Sequence, residues 1–181
     1  MLKLLIPAGE LWNDKTQEFV YLKEQTLLLE HSLVSLSKWE SKWEKPFLSS
    51  TDKTEEETLD YIRCMTLTKN VDPHVYENLS ADNIEAINKY IWAPMTATTF
   101  SKEETKGSLG REIVTAELVY YWLIALNIPF ECQKWHLNRL LTLIRVCNIK
   151  NQPPKKMSQS SIMRRNASLN AARRKRLNTR G

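Results

Sequence analysis

The sequence predicts a mainly α-helical domain of about five helices with a small N-terminal β element and an extended basic C-terminal arm. Three observations carry that expectation. Apolar residues make up 42% of the 181 and recur at helical spacing through most of the chain. With only 4 glycines and 7 prolines, the chain lacks the turn residues of an all-β fold and the composition of a disordered one. The charge is also split: residues 150–181 hold ten basic residues and no acidic one. That leaves 26 − 10 = 16 basic against 21 acidic residues in 1–149, a net of −5. An acidic body with a wholly basic tail predicts two parts, a globular domain over 1–152 and a partner-ordered arm over 153–181.

Taken in order, Leu2–Ile6 and Glu18–Leu22 read as two short strands of a long-looped hairpin, with Pro-Ala-Gly and Asn-Asp in the loop. Leu29, Leu33, Leu36, Trp39, Trp43 and Phe47 recur at steps of three and four, which predicts a helix closed by Pro46. Thr54 with Glu57 three residues on is a capping box. It opens a second helix through Leu59, Ile62, Arg63 and Met65 that Asn70–Pro73 breaks. Ser80 is placed to cap a third, with Ile84, Ile87 and Ile91 inward. Pro94–Phe100 is rich in threonine and reads as extended, and Ser101–Gly110 as a charged loop. Arg111–Asn127 is apolar on almost every side, the pattern of a helix buried all round. After the Asn127-Ile-Pro129 turn, Glu131–Asn148 carries Leu137, Leu140, Leu141, Ile144 and Cys147 inward with Arg139 and Arg145 outward, and Asn151–Pro154 ends the domain.

The composition and motifs argue against several function classes. Three cysteines, Cys64, Cys132 and Cys147, are too few and odd in number for a disulfide framework and read as buried thiols of a reducing compartment. The N-terminus has no apolar run followed by a small-residue cleavage site. The most apolar stretch, 113–128, is short for a membrane span and interrupted by Glu117, so the chain reads as soluble, without a membrane partner. No P-loop, GxGxxG or HExxH pattern occurs, and the glycines are too scattered to cradle phosphate. Cys132 and His136, four apart, would share a helical face as two metal ligands must. A structural zinc needs four ligands, and Cys64, Cys147, His31 and His74 supply no second pair. A Cys–His nucleophile lacks a neighbouring oxyanion hole. The sequence therefore predicts no enzyme, no cofactor and no metal.

What remains is binding. Trp39 and Trp43, flanked by Lys38, Lys42 and Lys45, read as core residues or partner-interface anchors ahead of base-stacking residues. In the arm, Arg164, Arg165, Arg173, Arg174, Lys175 and Arg176 would attract nucleic acid or an acidic protein surface, including the body of a second copy. Ile162, Met163, Leu169 and Leu177 would be idle against phosphate but would serve a helix docking in a protein groove. An isolated helix so short and charged is marginal in water, so the arm is expected to order on its partner.

Several blocks resemble a family of tailed-bacteriophage tail-region proteins: EHSLVSLSKWESKWEKPFL (30–48), TLDYIRCMT (58–66), APMTATTF (93–100), ECQKWHLNRLLTLIRVCNIKNQPPKKM (131–157) and NAARRKRLNTRG (170–181). The resemblance covers most of the chain. It implies a non-enzymatic virion or tail morphogenesis protein, either a tail assembly chaperone that coats the tape-measure protein and recruits tail-tube subunits or a minor structural protein. It also implies residence in the host cytoplasm during assembly or in the virion. It brings no catalytic or cofactor residues.

Overall fold

A computed structural model describes residues 1–13, 17–100, 113–152 and 159–178. It is mostly helical, 56%, with six α-helices and four short strands among the described residues. By internal contacts the chain divides into Met1–Lys150 and Asn151–Gly181.

The N-terminal β element differs from the sequence expectation. β1 (Leu2–Ile6) pairs antiparallel with β4 (Gln25–Leu29), and β2 (Gly9–Asn13) pairs with β3 (Glu18–Leu22). The stretch read as a loop is itself a hairpin nested inside the first pair. Pro7 lies at the step between the two pairs, where a residue without a backbone N–H cannot continue a ladder. Leu29 belongs to this strand and not to the following helix. Alternation decides the faces: Leu4, Ile6, Leu27 and Leu29 are buried, whereas Trp12, Phe19 and Tyr21 stand exposed on the β2–β3 hairpin, with Trp12 and Phe19 edge to face.

α1 (Leu33–Trp43) starts at Ser32, whose hydroxyl accepts from Ser35 N while Ser35 Oγ accepts from Ser32 N. It ends at Glu44, left-handed with φ 52°, one turn before Phe47 and ahead of Pro46. α2 (Glu55–Met65) opens with the Thr54–Glu57 capping box and α3 (Ala81–Trp92) with the Ser80–Asn83 box. α2 stops at Thr66, before the Asn70–Pro73 breaker, because the next residues run beside β4: Leu67 N donates to Leu28 O and Leu28 N to Thr68 Oγ1. Pro94–Phe100 forms no strand, and Ser101–Gly110 lies outside the described residues.

The helix expected over Arg111–Asn127 is shorter and less buried. α4 spans Ala116–Ala125, capped by Thr115, and buries Ala116, Val119 and Leu123 along one stripe. Tyr121 and Ile124 are 62% and 61% exposed, so α4 packs on one side only. Apolarity alone does not make a second layer for its outer face to pack on. α5 likewise begins later than the pattern suggested, as Leu137–Asn151, preceded by a 3-10 turn over Phe130–Lys134. Its first N–H, on Leu137, donates to His31 O at 2.7 Å, so the loop entering α1 satisfies the start of α5.

The body has two apolar clusters with α1 between them. One joins the strands to Trp39, Tyr61, Ile62, Met65 and Ile87; the other joins Leu33 and Leu36 to Val119, Leu123, Leu137 and Leu140. Glu40, 7% exposed, ties the second cluster down: its carboxylate accepts from Phe47 N at 2.8 Å and from Ala116 N at 2.6 Å, at the N-terminus of α4. Lys42 with Asp60 pairs α1 to α2, and Lys45, just beyond α1, pairs with Glu57.

Candidate functional site

The second unit carries the strongest charge feature. α6 (Gln159–Leu177) has no buried residue and no acidic side chain. The arm read as extended and unstructured alone is thus helical over these 19 residues. The local reason is composition: the segment has no glycine or proline, and Ala167, Ala171, Ala172, Leu169 and the arginines are strong helix formers. Arg174, Lys175 and Arg176 in the last turn also face the negative end of the helix dipole.

Helix geometry sets what this surface can do. At about 100° per residue, Ile162 and Leu169 lie about 20° apart, with Leu177 about 60° and Met163 about 100° from Ile162. These four make an apolar stripe, with exposures of 43% for Ile162, 47% for Leu169, 65% for Leu177 and 70% for Met163. Arg173 falls about 20° from Ile162, inside the stripe, while Arg164, Arg165, Arg174, Lys175 and Arg176 spread around the rest of the helix. α6 is a cationic rod with an apolar sector about 120° wide that Arg173 interrupts.

The tryptophan pair is not an open binding surface. Trp39 is fully buried and its indole N–H donates to Glu57 O at 2.8 Å. Trp43 is half-buried and donates to Asp60 Oδ2 at 2.9 Å. Trp39 is therefore a core residue, removed from the interface candidates by the packing of α2 on α1. Trp43 keeps only a partly open ring, with the Lys42 ammonium 5.4 Å from its centre.

Cys132 and His136 do not share one helix. Cys132 is buried in the 3-10 turn, where burial raises its thiol pKa, and His136 is the residue before α5. Among the described residues no group of three or more His, Cys, Asp or Glu side chains is arranged to hold a metal ion. Nor is any helix there long and apolar enough to cross a membrane.

His136 instead joins a buried polar network that the spacing did not reveal. Its ring meets those of His31 at 5.1 Å and Tyr90 at 4.9 Å. Asn138 N donates to His136 Nδ1 at 3.3 Å, and His136 Nε2 lies 3.0 Å from the Tyr90 carbonyl. A backbone N–H only donates and a carbonyl only accepts, so His136 is the neutral Nε2–H tautomer. His31 Nδ1 is 2.6 Å from the Tyr61 hydroxyl, and Tyr90 donates to Glu30 at 2.7 Å. Burial first, and the nearby His136 second, lower the His31 pKa to about 3; burial likewise lowers His136. The Asn138 amide caps α3 by donating to the carbonyls of Ile91 at 2.9 Å and Ala93 at 2.8 Å. No single stretch of sequence contains this network, since it draws on the segment between β4 and α1, on α2 and α3, and on the start of α5.

Scans of family models, curated proteins and solved structures find no match to this chain.

Proposed function

We propose that the protein is a non-enzymatic morphogenesis factor of a tailed bacteriophage, of the tail assembly chaperone or minor virion protein kind, that binds other phage structural proteins through α6. The observation that carries the reading is α6 itself: a helix of 19 residues with nothing buried, all of its charges positive and four large apolar side chains within about 120° of its circumference. A helix with that surface is completed by a partner that offers an apolar groove with acidic walls. The resemblance of residues 30–48, 58–66, 93–100, 131–157 and 170–181 to tail-region proteins supplies the context. The tape-measure protein is the first partner to test, and a second copy of the acidic body the next.

One observation favours a second reading. Arg173 interrupts the apolar stripe and the other cations surround the rod, as suits a polyanion gripped without sequence choice. The two readings part in co-expression of candidate phage structural proteins with the full chain, a chain ending at Pro154, and Leu169→Asp with Leu177→Asp. Protein docking predicts capture by the full chain alone. Equal capture by the aspartate pair, together with release by nuclease or moderate salt, would move the assignment to nucleic acid.

A further inference from the structure

The first unit holds a cleft lined by its own residues. It has a volume of about 460 Å³ and lies between the 47–53 segment, α2 and α3. Ile62, Ile84, Ile87 and Ile91 give it aliphatic walls, Phe47 and Leu48 line the 47–53 side, and Trp92, 81% exposed, stands among its lining residues. Such a volume and mainly apolar lining suit a small organic molecule.

The polar groups of the lining say which kind. His31 and Tyr61 are bonded to each other, and the Asn138 amide is spent on the end of α3, so these walls are already satisfied. With His31 neutral, Lys53 is the charged side chain among the lining residues. Its ammonium lies 4.4 Å from the centre of the Phe47 ring and donates to the Ser50 carbonyl. An ammonium has three donors, so two remain. Glu57, the α2 carboxylate whose charge acts on it, is engaged by Lys45 and by Thr54 N. An apolar cleft with one half-buried cation and spare donors complements one chemistry, a hydrophobic body ending in a single carboxylate.

We propose that this cleft binds a small amphipathic monocarboxylate, with the acyl or aryl part against Ile84, Ile87, Ile91 and Trp92 and the carboxylate on Lys53. Ser50, Thr51 and Asn88 bring further hydrogen-bonding side chains to the same cleft.

The test is calorimetric titration of the full chain with decanoate below its micelle concentration, alongside decyltrimethylammonium of equal chain length. Saturable one-to-one decanoate binding is expected, with the cation at least tenfold weaker. Lys53→Met should weaken decanoate at least tenfold, Lys53→Arg should restore most of it, and Ile84→Trp should block it while unfolding still cooperatively. The proposal is overturned if decanoate does not saturate, if the cation binds equally well, or if Lys53→Met and Ile84→Trp bind as wild type does. Lys53→Met and Ile84→Trp assign the binding to the cleft and separate it from whatever α6 binds, because neither variant lies within residues 151–181 and decanoate held by the cations of α6 would be unchanged by both.

Discussion

Lowering the pH from 7 to 5 should loosen the body at the His31–His136 contact. His31 is 2% exposed, and its pKa falls from 6.5 unfolded to about 3 folded. The unfolded chain therefore binds a proton that the folded chain refuses, and stability falls as pH drops through 6.5 towards 3. Full development of that gap is worth on the order of 5 kcal/mol, of which about 2 is lost by pH 5. His136, also lowered, acts in the same direction. Two carboxylates also bear on the profile. Glu57 is lowered below the usual range by Lys45 and the Thr54 backbone, so its loss comes at more acid pH. Glu40 is raised by burial, so its protonation opposes the histidines as the pH falls. The assay is urea unfolding at pH 7, 6 and 5 for wild type and His31→Gln. Wild type should lose about 2 kcal/mol by pH 5 at constant urea sensitivity, and the variant, weaker at pH 7, should show a shallower slope. A flat wild-type profile, or an unchanged slope in His31→Gln, would refute the assignment of the proton to that ring.

Three further outcomes follow from the packing. Trp39→Ala should cost about 3–5 kcal/mol by chemical unfolding, since it empties a fully buried site and orphans the Glu57 carbonyl. Trp122, half-buried on α4, should cost clearly less, and equal losses would contradict the packing. Glu40→Ala should cost about 2–4 kcal/mol by leaving the buried Ala116 N–H and the part-buried Phe47 N–H without their acceptor. A loss under ~1 kcal/mol would mean water replaces the carboxylate. A chain ending at Pro154 should melt cooperatively within about 2–4 °C of the full chain, because α6 buries nothing. A larger fall in a melting scan would show that the arm supports the body.

Local signals proved legible in the residues. The Thr54–Glu57 box and Ser80 each act within one turn, so their sequence patterns place α2 and α3 directly. The Leu33, Leu36, Trp39 stripe is likewise a local periodicity. Strand partners are not local: Leu2–Ile6 has equal claims on any apolar run downstream, and Gln25–Leu29 was hidden inside a longer leucine series. The apolar Arg111–Asn127 stretch could not report that only one side of α4 has a neighbour. His31 and His136 suggested only candidate metal ligands, since their meeting with Tyr61, Tyr90 and Asn138 depends on segments far apart in the chain. The arm's charge was plain, yet its helix rests on propensities that a count of charges does not weigh.

The most direct test of α6 is the affinity of the purified chain for the phage structural protein recovered on co-expression, measured after nuclease treatment. Two leucines leaving an apolar groove forfeit about 3 kcal/mol, so Leu169→Asp with Leu177→Asp should weaken binding roughly 100-fold. That loss should persist at high salt, with all six cations of the helix intact. Binding by the aspartate pair within twofold of wild type, abolished only by salt, would contradict docking through the apolar line.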